Sequence, residues 1–321
     1  MTAAAAEHAR EALGWEHLGV PDLRGRTVVV TGGSDGIGRE VALHLARWGA
    51  RLVLPVRDRV KGERVRARLL RESAAPGSDA VTLVDLDLAD LTSVRRAAEE
   101  VAGLLGEERA DLVNVAGAVS RRRRESVDGH ELLLAVNALG PMLLVESLLP
   151  LVHQRVVLVT SHAHTSGRVD LEDPHLRRTR WTLPRAYSRA KLVAMQWGLD
   201  LGGRMPPGTQ VQLVHPGWVL TNLQNATGDP RLDRLVTAAS RPFAMSAPQG
   251  AAAVLFALTQ PLPPGSYIGP DGWQHLRGRP TLIARSERAA DRDAAARTVA
   301  WMWREVGLDG DGPRNRGPAP V

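Results

Sequence analysis

The chain has 321 residues, 44% of them hydrophobic and 24% charged, enough for one large or two small globular domains with a substantial core. It contains no cysteine, which excludes disulfides and thiolate metal sites. A net charge of +6 raises a nucleic-acid reading, but 41 basic residues are interspersed with 35 acidic ones and no basic helix carries interleaved aromatics.

Residues 1–24 read as an alanine-rich amphipathic leader, laid over the core or partly disordered. Glu7, His8, Arg10 and Glu11 leave it no apolar signal-peptide core. Val28, Val29 and Val30 have the composition of a strand buried on both faces. A glycine-rich turn follows, then a helix with Val41, Leu45 and Trp48 at helical spacing. A second strand over 50–56 ends in Arg57-Asp58, and a charged helix runs to about Glu72. Residues 81–86 form a third strand, and Asp90 opens the next helix as a cap. The fourth strand starts at Asp111 and leads to Gly117; the arginine run 121–124 and a long helix to about Pro150 come next. The stretch Leu132 to Val152 is the most apolar, yet Asn137, Pro141 and Glu146 interrupt it, so a buried helix is expected rather than a membrane span. With no secretory signal, a cytoplasmic location is expected.

A fifth strand over 155–160, a helix from Pro184 to about Arg204 and a sixth strand over 210–214 complete the alternation. Strands alternating with helices at this spacing imply an α/β fold with a parallel, doubly wound sheet and right-handed crossovers. With no linker and no repeat, one domain spans 25–306, and the polar Gly/Pro tail 307–321 is expected to be disordered.

Two stretches carry chemistry. Thr31-Gly32-Gly33-Ser34-Asp35-Gly36-Ile37-Gly38 runs from strand into helix, where free backbone N–H groups and the positive end of the helix suit a pyrophosphate. Such glycines also mark ordinary turns. The second stretch is Tyr187-Ser188-Arg189-Ala190-Lys191. Only two tyrosines and two lysines (Lys61 and Lys191) occur in the chain, and here one of each sits four apart on one helical face. An ammonium beside a phenol favours the phenolate, so Lys191 is expected to lower the pKa of Tyr187 toward a range useful for proton transfer.

Together these motifs resemble the short-chain dehydrogenase/reductase superfamily, and the resemblance covers about residues 21–305. Within it the chain is most similar to retinol-dehydrogenase-like reductases; Asp128-Gly-His-Glu-Leu132 and Tyr267-Ile-Gly-Pro-Asp-Gly272 read like bacterial members of that branch. The resemblance implies a Rossmann-type sheet of about seven strands in the order 3-2-1-4-5-6-7. It implies hydride transfer between NADP(H) and a carbonyl/alcohol substrate, with Tyr187, Lys191, Ser161 and Asn137 as the catalytic tetrad. Lys191 would also bind the nicotinamide ribose, and Asn137 would hold a water linking Lys191 to solvent. Cofactor contacts fall on Thr31, Gly32, Ser34, Gly36, Ile37 and Gly38; on Asp87 and Leu88 at the adenine; on Asn114, Ala116 and Gly117; and on Pro216, Gly217, Val219 and Thr221 at the carboxamide. Val56 stands where NAD-using relatives have an acid, and Arg57 beside it would hold a 2′-phosphate. One departure is Val115, where the family has a second asparagine that ties neighbouring elements together.

The segment 218–246 lies where the family places a substrate lid. Its apolar residues, among them Trp218 and Leu223, fit an apolar substrate or packing on the core equally well. His162 follows the expected serine and faces substrate by the same resemblance. No metal site is expected, because His162 and His164 have no carboxylate or cysteine nearby and Asp229, Asp233 and Asp271 lack ligand spacing. The arginines 121–124 fit a solvated loop better than a holder of an acidic substrate or carrier. Retinoid, steroid, polyketide and simple aldehyde substrates all remain open. Family members often dimerise through the helices flanking the fifth strand, so a homodimer is also an expectation. The rival from another class is a non-catalytic NADP-binding regulator, and a salt-sensitive nucleic-acid binder ranks third.

Overall fold

A computed structural model describes residues 20–219 and 244–308. Strand β1 (Thr27–Thr31) is buried at every position, as its valines require. It turns into α1 (Gly36–Arg47), and β2 (Arg51–Val56), α2 (Arg59–Glu72), β3 (Val81–Asp85) and α3 (Leu91–Leu105) follow. Asp58 caps α2 through the Lys61 amide at 3.0 Å, and Asp90 caps α3 through Thr92 and Ser93 at 2.9 and 3.1 Å.

The second half comprises β4 (Ala110–Asn114), α4 (Gly140–Leu148), β5 (Val152–Val159), α5 (Leu183–Arg204), β6 (Gln210–Val214) and α6 (Ala247–Thr259). Then come β7 (Tyr267–Pro270), β8 (Pro280–Leu282) and α7 (Arg292–Glu305).

The strands lie in the order 3-2-1-4-5-6-7-8, which contains the expected order and adds an eighth strand antiparallel to β7. Strand β5 begins at Val152, earlier than expected. The buried Asp111 carboxylate accepts the Gln154 and Arg155 amides at 3.2 and 2.8 Å, satisfying the backbone where the β4–β5 register shifts. One apolar layer, from α3, α4, α5 and α7, covers one face of the sheet; a second, from α1, α2 and α6, covers the other.

The expected long helix before β5 is instead broken into a short turn Leu132–Leu134, a π-helical segment Ala135–Leu139, and α4. By length and composition Leu132–Leu151 could cross a membrane, but 78% of its most apolar window is buried inside the fold. Its Glu146 accepts from the buried Trp197 indole at 3.0 Å and pairs with Arg204 at 2.5 Å. The 1–19 part of the expected leader, most of the expected lid (220–243) and the tail beyond 308 lie outside the described residues, as do Thr221 and Leu223.

Candidate active site

All the site residues that can be placed stand at the carboxyl ends of the strands or on the helices beside them. The turn after β1 closes tightly. A Cβ on Gly38 would stand 2.2 Å from the Gly32 carbonyl oxygen, and one on Gly32 (φ +72°) would stand 2.9 Å from the Ala116 nitrogen. Only glycine lets the first turn of α1 approach this closely. Asp35 caps α1 through the Gly36 amide at 2.8 Å and pairs with Lys61, an interaction sequence reasoning missed although it had marked lysine as scarce. Ile37 and Val219 both reach toward Gly250 of α6, which brings the glycine turn and the segment after β6 together.

The tie that Val115 cannot make is supplied one strand away. The Thr31 hydroxyl donates to Asn114 Oδ1 at 2.8 Å and accepts from the Ala116 amide at 3.2 Å, joining β1 to the loop after β4. Val115 packs on the apolar layer instead. Asp87 accepts from the Ala89 amide at 2.9 Å, and its own amide donates to Ser93 Oγ at 3.0 Å, fixing the loop that leads through Leu88. Arg57 is exposed at the end of β2, and Ser34 is partly buried in the glycine turn.

Two of the four residues expected to form a tetrad meet at Gly117. A Cβ there would lie 2.8 Å from Asn137 Oδ1 and 3.7 Å from Lys191 Nζ, so both groups flank the bare backbone. Asn137 sits within the π-helical segment, a local widening of the helix that recurs at functional sites. Its amide donates to the Ala118 and Leu133 carbonyls, each at 2.9 Å, and its oxygen accepts from the Ala118 amide at 3.3 Å. Lys191 Nζ donates to the Val159 carbonyl at 3.3 Å and lies 5.7 Å from the centre of the Tyr187 ring. Ser161 Oγ accepts from the Ala163 amide at 3.2 Å, and its hydroxyl is close enough to Tyr187 to favour the phenolate.

The expected direction of the tyrosine pKa is overturned. Burial raises Tyr187 above the usual phenol value, and the hydrogen bond with Ser161 opposes this without reversing it. Burial also pulls Lys191 down to about 8. Desolvation disfavours the charged form of each group, so Tyr187 stays a protonated acid at neutral pH while Lys191 remains mostly an ammonium.

Pro216 and Gly217 follow β6. Trp218, 39% exposed, donates its amide to the Leu276 carbonyl at 2.8 Å and accepts from the Met245 amide at 2.8 Å. His162 stacks near His215 and His275, with ring centres 5.9 and 5.5 Å away. Burial lowers its pKa, and that of His215 to about 3, so these two rings are uncharged at neutral pH. Arg121, Arg122 and Arg124 are exposed, while Arg123 is held by Glu125 at 2.7 Å, the arrangement of a solvated loop.

Residues 26–172 match the family model described as short chain dehydrogenase. The chain is 41% identical over 212 residues to dehydrogenase/reductase SDR family member 13 of Bos taurus, covering 64% of this chain and 54% of that protein. It thus spans about half the length of that curated relative. Retinol dehydrogenase 12 of Mus musculus is 33% identical over 280 residues, 84% of each chain. A crystal structure of an uncharacterized protein from Mycobacterium paratuberculosis superposes with a TM-score of 0.73 at 34% identity, covering 89% of this chain and 95% of that one. The active-site complex of Pseudomonas aeruginosa RhlG with NADP superposes with a TM-score of 0.62 at 26% identity, covering 79% of this chain and 98% of that one.

Proposed function

The chain belongs to the short-chain dehydrogenase family, and on that premise we propose that it transfers hydride between NADP(H) and a small carbonyl/alcohol substrate. The observation that carries this reading is the grouping of Asn137 and Lys191 at Gly117, with the Tyr187 ring 5.7 Å from the Lys191 ammonium and Ser161 close enough to favour its phenolate.

The residues fit a dinucleotide. Gly32 and Gly38 let the turn close so tightly that any Cβ would meet neighbouring backbone, and α1 presents its N-terminus there. Thr31, Ser34, Gly36 and Ile37 complete that turn, Asp87 and Leu88 serve the adenine end, and Asn114, Ala116, Gly117, Pro216, Gly217 and Val219 the nicotinamide end. When bound, the reduced cofactor supplies the hydride that reaches the substrate carbon. Tyr187 gives its proton to the substrate oxygen, a role for which its raised pKa keeps it loaded. Ser161, its oxygen held by the Ala163 amide, donates a hydrogen bond to the same oxygen. The Lys191 ammonium offsets negative charge as the tyrosine proton leaves and binds the nicotinamide ribose. Asn137 holds the loop at Ala118 in place and keeps one lone pair for a water on the proton-resupply path.

Arg57 beside Val56 favours NADPH over NADH, since a guanidinium pairs with a 2′-phosphate and valine offers no acceptor to a free ribose. Trp218 and the uncharged His162 ring favour a substrate with an apolar body, in keeping with the name of the retinol dehydrogenase relative. A regulator that only senses NADP would need the glycine turn but not Ser161 with Tyr187. The test is NADPH oxidation against a varied panel of aldehydes and ketones. Turnover of at least one apolar carbonyl is expected; tight NADPH binding with no turnover across the panel would favour the regulator.

A further inference from the structure

Beyond the tetrad, one buried carboxylate touches both helical segments that carry Asn137, Tyr187 and Lys191. Glu131 is 0% exposed and stands at the entry to the turn that leads into the π-helical segment of Asn137. Its Oε2 accepts from the Leu134 amide at 3.0 Å, and its Oε1 accepts from the Trp181 indole at 3.1 Å. Arg189, also buried, places Nη2 3.5 Å from Oε2 and Nη1 3.4 Å from the Asp173 carbonyl. Arg189 lies on α5 midway between Tyr187 and Lys191. One carboxylate therefore pins the Asn137 segment to the helix that carries Tyr187 and Lys191.

The backbone of Glu131 is held from a third side. Its amide donates to His175 Nδ1 at 3.2 Å, while His175 Nε2 lies 3.5 Å and His130 Nδ1 lies 3.2 Å from Glu305 Oε2 at the end of α7. His130, His175 and Glu305 bring three ligand-type atoms within 4.8 Å of one another, a spacing that also suits a metal. The tautomer decides against one. With Nδ1 committed to accepting an amide proton, a neutral His175 carries its own proton on Nε2, which points at Glu305 and has no lone pair for a cation. The cluster is a hydrogen-bonded clamp, with Glu305 held down to about pKa 2 by the two imidazoles.

A buried charge is costly to desolvate, and an apolar pair of similar volume could fill the same space. What the ion pair supplies instead is direction. We propose that Glu131 is a positioning residue, which with Arg189 sets Asn137 against Tyr187 and Lys191, and that the His175–Glu305 clamp makes α7 part of this scaffold. The proposal rests on the hydride-transfer reading for its effect on rate, but its structural content can be read without turnover.

The chain's two tyrosines make that reading direct. Protein carrying 13C at the tyrosine ζ carbon gives two resonances, and Tyr187→Phe assigns them. Glu131→Ala should displace the Tyr187 line and leave the Tyr267 line in place. In active protein it should lower kcat 10- to 100-fold with NADPH affinity changed less than threefold, because the glycine turn lies on other elements. Glu131→Gln paired with Arg189→Gln, a neutral pair in place of the charged one, should recover much of the lost kcat. Should Glu131→Ala fail to fold, Glu305→Ala at the partly exposed end of the clamp should move the same line by a smaller amount. Folded variants with an unmoved Tyr187 line overturn the proposal whether or not wild-type protein turns over a carbonyl. So does a zinc-dependent rise in melting temperature that His175→Ala abolishes, since it would make the clamp a metal site. Wild-type protein that turns over no carbonyl while Glu131→Ala still moves the line removes the reaction and leaves the positioning intact.

Discussion

Replacing Gly38 by alanine probes the cofactor cradle through backbone alone. The new Cβ would stand 2.2 Å from the Gly32 oxygen, 2.6 Å from the Gly32 carbonyl carbon and 3.1 Å from the Gly33 nitrogen. All three neighbours are main chain, so no rotamer change relieves the contact, and the start of α1 must retreat by roughly 1 Å. That retreat withdraws one amide or more from the phosphate position. Each charge-assisted hydrogen bond is worth about 1.5–3 kcal/mol, so NADPH affinity should fall by roughly one to two decades. Overpacking should also lower stability by about 1–3 kcal/mol. Calorimetric titration with NADPH, alongside a melting curve to show that the variant is folded, reads both effects. Folded Gly38→Ala protein that binds NADPH within threefold of wild type would refute the cradle.

Arg57→Ala should weaken NADPH binding by roughly one to two decades and leave NADH binding nearly unchanged at matched ionic strength; equal losses for both cofactors would remove Arg57 from 2′-phosphate recognition. Glu305 has a depressed folded-state pKa, about 2 against 4.5, so its contribution to stability is fully present above about pH 4.5 and is lost as pH falls toward 2. Glu305→Gln should therefore flatten acid destabilisation over that window by about 1–3 kcal/mol, and denaturant unfolding at stepped pH reads it; parallel wild-type and variant curves would count against the clamp.

The parts of this molecule that a sequence shows best are those whose chemistry is local. The valines of β1, the glycines of the turn and the spacing of Tyr187 to Lys191 each state a backbone or side-chain requirement within a few residues, and each is found where expected. Strand β8 was not legible because three residues that begin with a proline carry no alternation; its place comes from pairing with β7. The π-helical segment is hidden inside a mostly apolar run, since the spacing of Leu132–Leu139 does not distinguish one helical pitch from another and only the fold shows Asn137 taking the Leu133 carbonyl. Glu131 follows a charged loop and looks solvated, and only the fold delivers Arg189 and Trp181 to it from fifty or more residues away. The sign of the Tyr187 shift was missed for a related reason. Spacing reveals the neighbouring charge, but burial, the largest cause of the shift, belongs to the folded state.

The most direct test of the central reading is turnover by Tyr187→Phe, which keeps the ring and removes only the transferable proton. With NADPH and a carbonyl accepted by wild-type protein, the account predicts a loss of about 10²–10⁴-fold in kcat, with NADPH affinity held within threefold. Turnover within a few-fold of wild type would contradict it, because the proposed proton donor would then be dispensable.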